Sequence, residues 1–351
     1  MADDFELELE LDYEQELDEA GLEVGAEEQA KAKKAKEATF TSIAWPLFDE
    51  VIAEAKAAAG GYSNPWQLVD GVPTFVIDES VLTKLLSVPL AIKGVPTRSG
   101  VLADALDVWT AYELRRAGFE PNAVWPRESN PRVLPVPVGN LLESKDILKA
   151  TKDALRERID GRSSVQGVAG SEARILGKLY EKQVDAGMSR WETGPEILIS
   201  TKRMDGSYGK NLANRAEESY GDAKNLRLRY PLAAFGFIFA LRSDVLTVTP
   251  SGARGVVDRL TKLEREHDAY DATCMILMEY DKPRSFPEKP TIGDLASISL
   301  SLRWDAMPRH IDPNSFFTKM VRRVLEVTPE SYHPEARERL KTVEPDELPT
   351  A

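Results

Sequence analysis

The amino-acid sequence predicts an α/β protein in which a mixed central sheet is flanked by helices. Two observations lead to this prediction. Segments with helical periodicity alternate with strand-like segments through the second half of the chain. Two of the strand-like segments, residues 232–242 and 270–281, are too apolar to be half exposed, which is typical of central strands covered on both faces. A mostly helical N-terminal region and a disordered acidic tail complete the predicted architecture.

The N-terminal region, residues 39–140, is predicted to be mostly helical. Phe48, Val51 and Ile52 recur at helical intervals in a segment that stops at a glycine pair. Five prolines between residues 120 and 140 indicate a loop or an edge strand, so we place a domain boundary near residue 140. The predicted elements are a helix over residues 42–61, a strand leading into a short helix over 73–86, and an amphipathic helix over 99–119.

Residues 141–328 are predicted to form the α/β core, and residues 329–351 a tail rich in Pro and Glu. The core begins with two helices and a hairpin, after which helices and strands alternate. In chain order, the predicted elements are helices over 143–159 and 169–186, a hairpin over 188–201, a helix over 209–228, a strand over 232–242, a helix over 252–268, a strand over 270–281, a strand over 295–304 and a helix over 316–327.

The net charge of −13 is concentrated at the N-terminus. Residues 1–30 carry thirteen Asp and Glu and no Lys or Arg, which leaves 45 acidic and 45 basic residues in the rest of the chain. A block of one charge sign repels itself, so residues 1–38 are predicted to be disordered. Two interpretations stay open: a tail that only keeps the protein in solution, or a phosphate mimic that folds back on a basic groove and competes with nucleic acid.

Composition argues against several classes of protein. No apolar run is long enough to span a membrane and the N-terminus is acidic, so we predict a cytoplasmic protein. Cys274 is the only cysteine, which rules out an internal disulfide. Three widely spaced histidines without cysteine partners argue against a zinc site and against a Ser-His-Asp hydrolase.

A lysine at the exit of a buried strand is the first candidate for chemistry. The strand predicted over residues 196–202 would place Ser200 and Lys202 on the same face because side chains alternate along a strand. An ammonium at that point is partly desolvated and held on a rigid element, as a phosphate-binding or water-positioning lysine needs to be. Glu196 would lie roughly 20 Å from Lys202 along the strand and is interpreted as structural.

The sequence resembles the PD-(D/E)xK nuclease superfamily, which has a leading acid and an acid-x-Lys triplet. Asp185, after a valine, stands where the family has its leading acid, and the "STK" triplet of residues 200–202 stands where it has the acid-x-Lys triplet. The resemblance implies a restriction-endonuclease-like core, a Mg²⁺ cofactor, and catalytic positions at Asp185, Ser200 and Lys202. Ser200 stands where the family has its second acid. The predicted helix over 169–186 would place Glu181 one turn before Asp185 as a carboxylate pair for the metal, and Glu217 or Glu218 on the next helix is the other source of a ligand.

A local excess of positive charge follows the triplet. Seven Lys or Arg and four acids lie between residues 202 and 230, and we predict DNA contacts for Arg203, Lys210, Asn214 and Arg215. The sequence therefore predicts a Mg²⁺-dependent DNA endonuclease of restriction or phage-defence type, acting as a homodimer or within a defence complex. The alternative is a non-catalytic nucleic-acid-binding or scaffold protein that keeps the nuclease fold and has lost the metal.

Overall fold

A computed structural model describes residues 35, 39–97, 99–160, 169–170, 172–206, 208, 211–281, 286–287 and 289–343, and the side chains of all of these except 160 and 211–217. The acidic tail lies outside the described residues. Eight elements form the first part of the chain: α1 (39–59), β1 (Trp66–Val69), β2 (Val72–Phe75), α2 (Glu79–Ala91), α3 (Val101–Arg116), β3 (Val124–Trp125), α4 (Val136–Glu143) and α5 (Lys149–Asp160).

The second part contains most of the sheet. Its strands are β4 (Ala173–Leu176), β5 (Glu181–Val184), β6 (Ala186–Arg190), β7 (Gly194–Met204), β8 (Ala234–Arg242), β9 (Ala272–Tyr280) and β10 (Leu300–Leu302). Its helices are α6 (Asn211–Arg227), α7 (Val245–Val248), α8 (Pro250–Arg265), α9 (Ile292–Leu295), α10 (Pro313–Val327) and α11 (Pro334–Lys341), with two short 3₁₀ turns at Trp304–Ala306 and Arg309–Ile311.

The central sheet is mixed and has six strands in the order β10-β9-β8-β7-β6-β3. Strands β7, β8 and β9 run parallel, whereas β6 pairs antiparallel with both β7 and β3, and β10 antiparallel with β9. Helices α3 and α10 pack on the sheet, and α8 packs on β9. The predicted α/β class, a mixed sheet flanked by helices, is therefore confirmed.

Strands β8 and β9 are buried along nearly their whole length, as their apolar sequences predict. Neighbouring strands on both sides and helices over the faces leave these strands little contact with water. The apolar cluster that contains them also includes residues from α1, α2 and α3, on the other side of residue 140. No helix among the described residues is long and apolar enough to cross a membrane.

The helix predicted over residues 169–186 is wrong. Strands β4 and β5 form an antiparallel hairpin there, and Asp185 directly precedes β6. A contact distant in sequence holds the turn of this hairpin: the Asn225 side chain on α6 accepts from the backbone N–H of Leu179 and donates to the carbonyl of Tyr180. At Gly177, an added Cβ would lie 2.2 Å from the Asn225 amide nitrogen. Tertiary packing therefore overrides the helical propensity of this segment.

Strand β7 extends past its antiparallel partner. Strand β6 pairs with residues 194–199 of β7, while β8 pairs with residues 197–204 on the other side. Within the described chain, residues 200–204 consequently have no strand partner on the β6 side. We call this stretch the free edge of β7. A free edge leaves backbone N–H groups that side chains must satisfy.

Candidate active site

Asp185 lies at the free edge of β7 and contacts two consecutive residues of that strand. Its Oδ2 accepts a hydrogen bond of 2.8 Å from the backbone N–H of Thr201 and one of 3.3 Å from the Lys202 ammonium. The ammonium also donates to the Thr201 carbonyl at 2.9 Å. The structure thus brings together two of the residues predicted from sequence, Asp185 and Lys202, although the local structure before Asp185 differs from the predicted helix.

A second carboxyl group reaches the same strand from α3. The Thr201 hydroxyl donates to Oδ1 of Asp107, so Thr201 binds Asp185 through its backbone and Asp107 through its side chain. Although part of the Asp107 residue is exposed, its carboxyl group is enclosed. Burial raises the pKa of Asp107 well above its ordinary value, the negative charges of Asp185 and Asp104 raise it further, and the Thr201 hydrogen bond and Lys202 oppose the shift.

These carboxyl groups line a cavity of about 330 Å³ between α3, the loop around Trp125 and the β5–β6 junction. Asp104 and Asp107 lie three residues apart on α3 and therefore on one side of that helix. Glu172 contributes a fourth acid. We call this space the acidic cavity; its acidic residues are Asp104, Asp107, Glu172 and Asp185.

The donor chemistry of the acidic cavity fits a hard divalent cation. Carboxylate oxygens are the ligands that Mg²⁺ prefers, and several negative charges close together destabilise one another unless a cation or a proton compensates them. Among the described residues, no three His, Cys, Asp or Glu side chains are close enough to hold a metal ion together as they stand. Asp107 and Asp185 would therefore have to turn toward a shared ion.

Four of the predicted catalytic or metal-binding residues do not line this cavity: Lys202, which contacts Asp185 but is not part of the cavity wall, and Glu181, Glu218 and Ser200. Glu181 is on strand β5, exposed and paired with Arg174 across the hairpin, so the predicted helical pair with Asp185 does not exist. Glu218 is exposed on α6. Ser200 lines an enclosed space of about 10 Å³ with Asp222 and Tyr270. A glutamate at position 200 would be too large for that space, so Ser200 does not mark a place from which the acid could simply be restored.

Arg203 is buried and cannot meet DNA in this structure, contrary to the prediction. Its guanidinium donates twice to Asp205, both times at 2.8 Å, and its side chain is 0% exposed. Burial lowers the pKa of Arg203, but the negative charge and hydrogen bonds of Asp205 outweigh it, so the pKa of Arg203 is raised. Lys210 lies outside the described residues, and for Asn214 and Arg215 the structure gives only their place on α6.

Asp104, Asp107 and Thr201 were not predicted from sequence as site residues. Asp107 lies between the buried residues Leu106 and Val108 on α3. A carboxylate beside the buried face of an amphipathic helix could have been recognised from the sequence as a candidate site residue. Because side chains alternate along a strand, Thr201 faces away from Lys202, and on that side it contacts α3. The packing of α3 over β7 that joins the two residues is not encoded locally.

A second Lys–Asp pair of similar burial provides an internal control. Lys182 on β5 lies 2.5 Å from Asp222 on α6, with side chains 31% and 18% exposed. The corresponding exposures of Lys202 and Asp185 are 32% and 19%. Neither Lys182 nor Asp222 lines the acidic cavity, whereas Asp185 of the other pair does.

Comparison with known proteins found no matching family model, no matching curated protein and no matching solved structure. A function for this chain must therefore be inferred from the geometry and charge of the site.

Proposed function

We propose that this protein is a divalent-cation-dependent DNA endonuclease whose active site is the acidic cavity together with Lys202, which contacts Asp185 of that cavity. One observation carries the proposal: Thr201 joins Asp107 and Asp185 at the free edge of β7, and the Lys202 ammonium contacts the same Asp185 oxygen. Two carboxylates and a lysine on rigid elements are the groups that metal-assisted phosphodiester hydrolysis needs. The restriction or phage-defence role stays a prediction from the sequence.

Each side chain has a role that follows from its position. Asp107 and Asp185 would hold Mg²⁺, with Asp104 one helical turn from Asp107 as a further carboxylate. The bound cation would supply an acidified water and compensate negative charge on the phosphate. Lys202 holds its ammonium at the carboxylates, where it can orient a water molecule or stabilise charge developing on the phosphate. Thr201 is a positioning residue because it fixes both carboxylates.

The test of this function compares the two matched lysines. Full-length wild type, Lys202→Ala and Lys182→Ala are incubated with DNA and Mg²⁺ or Mn²⁺, and cleavage is followed on a gel. We expect Lys202→Ala to lose about 10²- to 10³-fold in rate, because it loses a transition-state charge partner. Lys182→Ala should cleave as the wild type does. Equal rates in all three proteins would remove Lys202 from the active site.

A cation-binding measurement tests the site without relying on activity. A ligand that binds only the folded state raises the melting temperature. We expect Mg²⁺ or Mn²⁺ to raise that of the wild type and of Asp222→Asn but not that of Asp185→Asn. An equal rise in all three proteins would place the cation away from Asp185.

A non-catalytic DNA-binding protein is the second candidate, and one observation favours it. Lys202 and Asp185 neutralise each other in an ion pair. This candidate predicts that the wild type binds DNA, cleaves none with any divalent cation, and shows no difference between Lys202→Ala and Lys182→Ala.

A further inference from the structure

A larger cavity of about 710 Å³ continues the acidic cavity along the sheet edge. The two cavities share four wall residues and therefore adjoin; the shared residues are Trp125, Val133, Glu172 and Ala173. We call the two adjoining cavities the groove. The groove runs from Asp185, just before β6, to Trp191, just after it. Six residues of extended chain separate these ends by roughly 20 Å.

Charge changes sign along the groove. The larger cavity is lined by Arg127, Arg174 and Arg190 against Glu172 and Glu181, whereas the charged residues that line the acidic cavity are all carboxylates. A polyanion is therefore attracted to the end near Trp191 and repelled at the end near Asp185 unless a cation or Lys202 compensates there. This distribution of charge suits a nucleic acid strand: most of its phosphates can lie near the arginines, while one phosphate approaches the proposed metal site at Asp185.

Two of these arginines can turn to a phosphate at little cost. The Arg174–Glu181 pair is exposed on both sides, with side chains 57% and 49% exposed. Arg190 lies 3.8 Å from Glu192, and its guanidinium sits 5.3 Å from the centre of the Tyr332 ring. An exposed ion pair such as Arg174–Glu181 contributes only about 0 to 1 kcal/mol. The Arg190–Glu192 pair is long, and the Arg190 side chain is 27% exposed, so a phosphate oxygen can replace either carboxylate.

Trp191 supplies a flat apolar surface at the far end of the groove. It lies in the turn between β6 and β7, lines the larger cavity, and is 88% exposed. An indole that packs against so little of its own protein contributes little to folding. Exposed aromatic rings beside arginines are the usual platform on which unpaired bases stack.

We propose that the groove binds a single DNA strand, with a base stacked on Trp191 and phosphates held by Arg174 and Arg190. The cavities have the volume of sites for small ligands, which suits a few nucleotides and is too small for a duplex to enter. Bases inside a duplex already stack on one another, so an indole gains a partner only from an unpaired base. The strand then leads toward Asp185 and Lys202, which makes this inference an extension of the proposed function.

The experiment measures binding without catalysis. A fluorescein-labelled oligothymidylate of about twelve nucleotides is titrated with full-length protein in EDTA, and fluorescence anisotropy gives Kd. Trp191→Ala lacks the stacking platform and should bind about tenfold more weakly than the wild type. Trp191→Phe keeps an aromatic ring and should have a Kd close to that of the wild type. Leu232→Ala, which alters another exposed apolar residue, should bind as the wild type does. Arg174→Ala should weaken binding and lessen its dependence on salt.

Two readouts separate this inference from the proposed function. Oligothymidylate should quench tryptophan fluorescence in the wild type and much less in Trp191→Ala, and a duplex of mixed sequence should bind more weakly than the single strand. Strand binding that depends on Trp191 without cleavage would support the groove and refute the nuclease. Cleavage with a Kd unchanged in Trp191→Ala, or a duplex bound as tightly as the single strand, would overturn the groove and leave the nuclease standing.

Discussion

At the residue scale, Asp107 is a carboxyl group whose protonation the fold controls. Its carboxyl is enclosed, it faces the charges of Asp185 and Asp104, and its pKa is raised well above the ordinary value. The folded protein therefore holds a proton on Asp107 at pH values where the unfolded chain has already released it. Between the two pKa values, the free energy of unfolding falls as the pH rises, because ionisation favours the unfolded chain.

Replacing Asp107 by asparagine should remove this dependence. The amide of the Asp107→Asn variant would keep an oxygen that accepts from the Thr201 hydroxyl but can never carry a charge. The free energy of unfolding of both proteins is measured in urea with EDTA between pH 5 and pH 8. As the pH rises, we expect the wild type to lose stability relative to Asp107→Asn, by up to about 1.4 kcal/mol for each pH unit within the titration range. A constant difference between the two proteins over that range would show that Asp107 titrates normally.

At the element scale, the β4–β5 hairpin fixes where Asp185 lies. Asp185 follows β5 directly and precedes β6 directly, so movement of the hairpin moves the carboxylate. The turn depends on Asn225, which is 3% exposed and bonds the backbone of Leu179 and Tyr180. A buried amide in α6 thus supports the hairpin that precedes Asp185, forty residues before it in the chain.

Asn225→Ala should weaken both the hairpin and the site. Loss of the amide leaves buried backbone groups of the turn without partners, at a cost of about 1 to 3 kcal/mol for each group. We expect a lower urea midpoint, faster hydrogen exchange in residues 176–181, and slower DNA cleavage. Asn64→Ala is the matched control, since Asn64 also makes three hydrogen bonds but is exposed, and water can replace them. Equal losses in the two variants would contradict a special role for Asn225.

The same elements show how far the sequence predicts this fold and site. The buried strands β8 and β9 follow from continuous apolar runs and helix α3 from helical periodicity, and both are local properties of the sequence. The β4–β5 hairpin does not, because a side chain from α6 stabilises its turn. Lys202 was found because a lysine ends an apolar strand, whereas Asp107 reaches Thr201 across 94 residues and only the packed fold brings them together.

At the scale of the whole molecule, the chain combines an acidic tail with a groove that is basic at one end. Thirteen carboxylates lie in residues 1–30, and the larger cavity is lined by three arginines. If this segment is the disordered tail that its sequence predicts, it has an effective concentration on the order of millimolar at a nearby site. The tail therefore competes with DNA for the arginines if it reaches them.

Deleting residues 2–30 should then tighten the binding of single-stranded DNA at low salt. The screening length falls from about 30 Å at 0.01 M salt to about 8 Å at 0.15 M, so the difference in Kd between the full chain and the deletion should shrink as salt rises. A full-length chain with the thirteen acids changed to Asn and Gln separates charge from length, and it should behave as the deletion does. If the tail only keeps the protein in solution, all three proteins will have the same Kd at both salt concentrations, because a tail that never contacts the groove cannot compete there.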